Sequence, residues 1–251
     1  MNGVTTGAQR VATIFRRELA SYFNTPLASV FLVIFLFLSG LFTFNIGGLY
    51  DRGQADLRPF FQFLPWLFLF LVPAISMRLW AEERRTGTIE LLVTLPFTVV
   101  DLVIGKFLAA WAFACVAIIL SAPLWFTVAW LGTPDHGVVV ASYVASMLMA
   151  GAFLAVGGCL SALTKNQVIA FVLCVVACFL LLITGLPAVQ DYVAGWSPRE
   201  VAEALASMSA LFHFDSILRG VLDLRDVLYF TSVIVGGLAC NALIIQWRKA
   251  D

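Results

Sequence analysis

From Val138 to Leu163 the chain reads VVVASYVASMLMAGAFLAVGGCLSAL, with no charged side chain. A bilayer core of about 30 Å is crossed by about 20 apolar residues in helical form, so this stretch predicts a membrane span. Working outward, five more uncharged runs meet or approach that length: Leu27 to Leu49, Phe60 to Met77, Phe107 to Leu131, Val168 to Val189 and Val227 to Trp247. Pro65 and Pro73 fall inside the second and predict kinks there. The chain of 251 residues is 61% hydrophobic and only 12% charged, about half the charge of a soluble domain. No β-barrel alternation is present. The reading is an all-α membrane protein of six transmembrane helices.

Charge must then be read by position. Fifteen basic and fifteen acidic side chains cancel, leaving no positive field to attract nucleic acid. The first run is too long for a secretory signal and lacks its cleavage pattern. Arg10, Arg16, Arg17, Arg78, Arg84, Arg85, Lys106, Lys165, Arg248 and Lys249 fall on one side of the six spans. Arg52, Arg58, Arg199, Arg219 and Arg225 fall on the other. The richer side is expected to be cytoplasmic, and an even number of spans places both termini there. The expected organisation is a cytoplasmic segment 1–26, a six-span transmembrane bundle 27–247 and a tail 248–251. Within the bundle lie a cytoplasmic connector at 78–106 and an extracytoplasmic loop at 190–226.

In the segment before the first span, Val11, Ile14, Phe15, Leu19, Tyr22 and Phe23 follow helical spacing while Arg16 and Arg17 take the opposite face. This predicts an amphipathic helix along the inner membrane surface. Glu18 points into the apolar arc, either as a snorkelling carboxylate or paired with a cytoplasmic Arg or Lys that pins the helix to the bundle. In the fourth span Ser142, Ser146 and Ala150 fall four apart, as do Gly151 and Ala155, then Gly158 and Ala162. Small residues at that spacing allow close helix packing, within the chain or against a second copy. Thr164 to Gln167 forces a tight hairpin. Cys115, Cys159, Cys174, Cys178 and Cys240 all lie in apolar runs, so neither a disulfide framework nor a metal site is expected.

Two connecting segments carry more information. Between the second and third spans, the charged cluster Glu82, Glu83, Arg84, Arg85 leads through Thr86, Gly87 and Thr88 into a short apolar stretch from Ile89 and Glu90 to Pro96. A helix of about eight residues cannot cross a bilayer, so it belongs at the interface or against a partner. Thr98-Val99-Val100-Asp101 then reads as a capping box. In the outer loop, Ser197-Pro198-Arg199-Glu200 reads as a helix start with Pro198 at the first helical position. Val201, Ala204, Leu205, Met208, Leu211 and Phe212 make one apolar stripe, which predicts a helix in the outer interface. His213 and Asp215 follow it and are expected to form a hydrogen-bonded pair rather than a metal site.

The pattern Glu-x-x-x-Thr-Gly-Thr-x-Glu-x-Leu-x-x-x-x-Pro, from Glu82 to Pro96 and followed by Gly105-Lys106, resembles the signature of type-2 ABC transporter permeases. Phe15-Arg16-Arg17-Glu18-Leu19 with Tyr22, Phe23 and Pro26, and the segment Arg219 to Asp226, resemble the gliding-motility branch of that family. The resemblance implies that the connector is a coupling helix docking into a separate ATPase subunit. Its contact region would be Glu82, Glu83, Arg84, Arg85, Thr86, Gly87, Thr88 and Glu90. It also implies outer re-entrant helices before the last span, a second or related permease copy, and an auxiliary membrane subunit with an extracytoplasmic domain. Leu205, Met208 and Phe212 would then line an outer gate.

The residues themselves support a separate ATPase, because no Gly-x-x-x-x-Gly-Lys-[Ser/Thr] occurs. ATP and Mg would be bound by the partner, and this chain is expected to hold no cofactor and to catalyse nothing. The six runs contain no Asp, Glu, Lys, Arg or His, whereas ion-coupled carriers place such groups at depth. The expected function is the permease half of an ATP-driven exporter in a bacterial inner membrane, surrounded by lipid. A membrane scaffold that moves no cargo is the alternative, and a membrane enzyme would need a catalytic cluster that these runs do not supply.

Overall fold

The structure is a computed structural model that describes residues 7–49, 56–87, 97–196, 198–220 and 223–247. It contains helices and no strand among the described residues. The predicted stretch ending at Pro96, with Thr88 and Glu90, lies outside them, as do Ser197, Arg52 and the tail 248–251.

Helix α1 (Gly7–Asn24) ends at an elbow, Thr25, from which α2 (Pro26–Leu41) starts; Phe42–Ile46 continue it as one π-helical turn. Helix α3 (Arg58–Ser76) runs unbroken with Pro65 and Pro73, the residues expected to kink it, in its interior. A tight turn leads to α4 (Ala81–Thr86). Helix α5 (Val99–Ile119) starts eight residues earlier than the apolar run, because the capping box at Thr98 forms as predicted. Asp101 and Lys106 are therefore helical, and the apolar run understates where charge enters the bundle. The third run is also not one rod: α5 stops at Ile119, and α6 (Ala122–Leu131), with Pro123 in its first turn, restarts after Ser121.

Helix α7 (His136–Leu163) is capped by Asp135, and Asn166 caps α8 (Gln167–Ile183), which gives the predicted tight hairpin. The fifth run departs furthest from expectation. Helix α8 ends at Ile183 and α9 (Pro187–Ala194) leaves it at 70°. Pro187 is the reason: its ring fixes φ and the residue before it is driven out of the helical region, as Leu186 is at ψ 132°. Helices α10 (Arg199–Ser207), α11 (Ala210–Leu218) and α12 (Leu224–Trp247) complete the chain.

Among the described residues, five helices or helix pairs are long and apolar enough to cross a membrane, and the bent α8–α9 pair makes a sixth if counted as one span. Helix α7 is the hub, with 72% of its most apolar window buried, against 17% for those of α2 and α12. The small residues explain why: Ser142, Ser146, Ala150, Gly151, Ala155, Gly158 and Ala162 are all buried. A Cβ on Gly237 of α12 would stand 2.8 Å from that of Ala155, so the two backbones approach as closely as side chains allow. Cys174 and Cys178 are buried in the same way, with the Cys174 thiol 3.5 Å from the Ser76 hydroxyl, as packing residues.

Candidate functional site

Helices α1, α4 and α5 meet around Lys106 at one end of the bundle. Lys106, eight residues into α5, is 4% exposed and sits between two carboxylates from other helices. Its ammonium is 3.3 Å from Glu18 of α1 and 2.6 Å from Glu83 of α4, and lies 5.3 Å from the centre of the Trp80 ring. Two anions and an aromatic face surround a cation that burial alone would penalise. Of the two readings open for Glu18, the pairing with a basic residue is the one found. Burial pushes the Glu18 carboxyl up, but Lys106 and Arg17 outweigh it and hold it below the ordinary carboxylate range.

The same end is held by three further contacts. Arg10 of α1 is 3.4 Å from Asp101, the capping carboxylate of α5. Ile14 fills the space over Gly105, where a Cβ would meet it at 2.7 Å, so α1 can lie flush on α5. Ser161 of α7 accepts from the backbone N–H of Trp80 and Ala81, each at 3.1 Å, and donates to the carbonyl of Met77 at 3.0 Å. One hydroxyl thus satisfies the break between α3 and α4 from across the bundle. Arg84 donates to the carbonyl of Ala162 in the last turn of α7, where a helix C-terminus favours a cation.

Of the predicted contact residues, Glu82, Glu83 and Arg84 are therefore engaged inside the chain: Glu82 with Arg78 at 2.9 Å, Glu83 with Lys106, Arg84 with α7. Arg85, Thr86 and Gly87 are exposed. Gly87 closes α4 at φ 73°, a left-handed conformation that costs a residue with a Cβ about 1 kcal/mol or more. Arg16 and Arg17 stay on the exposed face of α1. Ser161 was not legible as a site residue, and Lys106 stood out only within Gly105-Lys106; the signal for its pairing was Glu18, a carboxylate on an apolar arc that needed a cation.

At the opposite end the outer segment differs from expectation twice. The single amphipathic helix is two. Helix α10 begins after Pro198, which stands at the N-cap rather than inside the first turn, and ends at Ser207. Ser209 opens α11 by accepting from the N–H of Phe212 at 3.3 Å, and donates to Leu181 at the end of α8. Leu205 is consequently half-buried while Met208 and Phe212 are exposed.

The second difference concerns His213, whose partner is Asp226 and not Asp215. Its Nδ1 lies 2.6 Å from the Asp226 carboxylate, and its Nε2 lies 3.0 Å from the carbonyl of Ser207. A carbonyl only accepts, so Nε2 carries a proton, and a second proton must lie between Nδ1 and the carboxylate. The pair is buried, and Tyr229 stacks on the imidazole at 4.1 Å while donating to Met208 at 2.6 Å. Asp215 faces Arg219 and Arg58 instead; burial raises its carboxyl against their pull. The pairing of His213 joins residues thirteen apart through a chain reversal that adjacency in sequence did not disclose. Among the described residues no group of three or more metal-ligating side chains occurs.

A helical hub wrapped by apolar helices, with charged groups confined to the two ends, defines a multi-pass membrane protein. Residues 59–219, more than half of the chain, match the family model described as ABC-2 family transporter protein, and the chain belongs to that family. The match spans α3 to α11 and so includes the connector and the outer segment. No curated protein matches the chain.

Proposed function

We propose that this chain is the permease subunit of an ATP-driven exporter, coupled through α4 and the segment after it to a separate ATPase subunit. It works with a second permease copy or a related one, and with an auxiliary subunit bearing an extracytoplasmic domain. Family membership supports the transport role, and the motifs in α1 and before α12 support the gliding-motility branch. The observation that carries the coupling assignment is the two-sided character of α4. Its outward residues Arg85, Thr86 and Gly87 are exposed, while its inward residues Glu83 and Arg84 are bonded to α5 and α7. A push on the outer side is passed on by the inner side. The α1 end is then cytoplasmic, in a bacterial inner membrane, and the α10–α11 pair, with Leu205, Met208 and Phe212, closes the outer end of the path.

Arg85→Glu tests this without touching the internal bonds. Transport in reconstituted complexes should fall at least tenfold and ATPase recruitment should weaken, since reversing a charge at a docking surface removes an attraction and adds a repulsion. Unchanged recruitment together with unchanged transport would defeat the assignment.

A further inference from the structure

Beside the elbow between α1 and α2 the surface opens into two adjoining cavities of opposite character. One is an apolar groove of about 200 Å³ between Val30, Phe31 and Ile34 of α2 and Leu71 and Ile75 of α3, floored by Phe113. The other is a polar recess of about 80 Å³ that includes Glu18, Ser21, Glu82 and Lys106. Tyr22, Thr25 and Arg78 line both, so the two adjoin across these side chains as an amphipathic depression. Its apolar part opens sideways, because Val30 and Ile34 are exposed. Its floor is firm: Tyr22 stacks on Phe113 at 5.3 Å and Phe31 packs against the same ring at 5.5 Å.

The polar end carries both signs of charge at one depth. Arg78 directs Nε and one terminal nitrogen toward Glu82, at 2.9 and 3.5 Å, leaving the other N–H donors of its guanidinium for a further acceptor. The carboxylates of Glu18 and Glu82 flank it, each with lone pairs beyond those that Lys106, Arg17 and Arg78 occupy. A lipid tail alone would need only the groove, and an anionic headgroup alone would meet two carboxylates. We propose that this depression binds a phospholipid whose headgroup carries a phosphate and a protonated primary amine. The phosphate lies against Arg78, the ammonium against Glu18 and Glu82, and one acyl chain runs between α2 and α3.

The inference does not depend on the transport reading. It is tested by native mass spectrometry of the full chain released from nonionic detergent, after titration with phosphatidylethanolamine, phosphatidylcholine or phosphatidylglycerol of identical acyl chains. Phosphatidylethanolamine should be retained several-fold better than the other two, because trimethylation removes the N–H donors and glycerol removes the cation. Arg78→Gln should abolish the preference, and Ile34→Trp, which fills the groove from its exposed side, should abolish retention even where Arg78→Gln does not fold. Soluble phosphoethanolamine should not displace the lipid. Equal retention of the three lipids, undiminished retention by Ile34→Trp, or displacement by the soluble headgroup would each overturn the proposal.

Discussion

Lys106 illustrates how a side chain can be out of place by composition and in place by structure. A buried ammonium costs several kcal/mol unless it is paired, and removing the cation from such a cluster takes an opposite charge from two carboxylates at once. Lys106→Met should therefore lower stability by about 3 to 5 kcal/mol, while the triple variant with Glu18→Gln and Glu83→Gln should recover most of the loss. Thermal unfolding of the purified chain checks this; equal losses in the single and triple variants would refute the cluster as a unit. The pH dependence follows from Glu18. Its carboxyl is held below the ordinary value of 4.5, so its contribution is fully present above that pH and is lost as pH falls through the lowered value. The stability difference between wild type and Glu18→Gln should be flat from neutral pH down to that region and shrink below it. Sequence alone supplied half of this cluster. The odd position of Glu18 demanded a cation, but which one depended on α5 starting at its capping box, since only then does Lys106 face α1 and α4.

The elements show where hydropathy reads well and where it does not. Long runs located the bundle because apolar length is a bulk property, and the single hydroxyl and carboxylate of Thr98 and Asp101 located a helix start because caps are local. Breaks were less legible. The 70° bend before Pro187 and the restart at Ala122 fall inside runs whose composition does not change, and the split at Ser209 falls inside an apolar stripe that reads as one helix. The proline or serine responsible was visible, but each residue type is also tolerated inside membrane helices when neighbours supply the missing bonds. The split has a functional consequence if α10 and α11 close the outer end. Leu205 is half-buried, so Leu205→Lys would seat an ammonium against apolar neighbours at a cost of several kcal/mol unless it snorkels. The variant complex should leak or lose coupling while still recruiting its ATPase. Normal transport with wild-type basal ATPase activity would remove the pair from the gating mechanism.

At the scale of the whole molecule, both chain ends described lie at one end of the bundle. Helix α1 packs on the head of α5, and Asn241, near the end of α12, reaches Gly158 one turn before the Ser161 bonds. An even number of crossings satisfies this, and the proposed topology puts that end in the cytoplasm, as the lysine and arginine distribution favours. Single cysteines in a background lacking the native five should show it: Trp196→Cys, at a position 72% exposed, should react with an impermeant thiol reagent in intact cells, and Thr13→Cys only after the membrane is opened. The reverse pattern would invert the topology.

The hydroxyl of Ser161 has a mechanical meaning beyond hydrogen-bond satisfaction. It grips the chain on both sides of the turn between α3 and α4 and belongs to α7, whose backbone is pressed against α12 at Ala155 and Gly237. In the proposed coupling, a torque applied to α4 passes through these contacts to α7 and from α7 to α12. If α4 is the handle that the proposed coupling makes it, the stiffness of this linkage, set by one serine and a few glycines, decides how far a small rotation there is felt at α12.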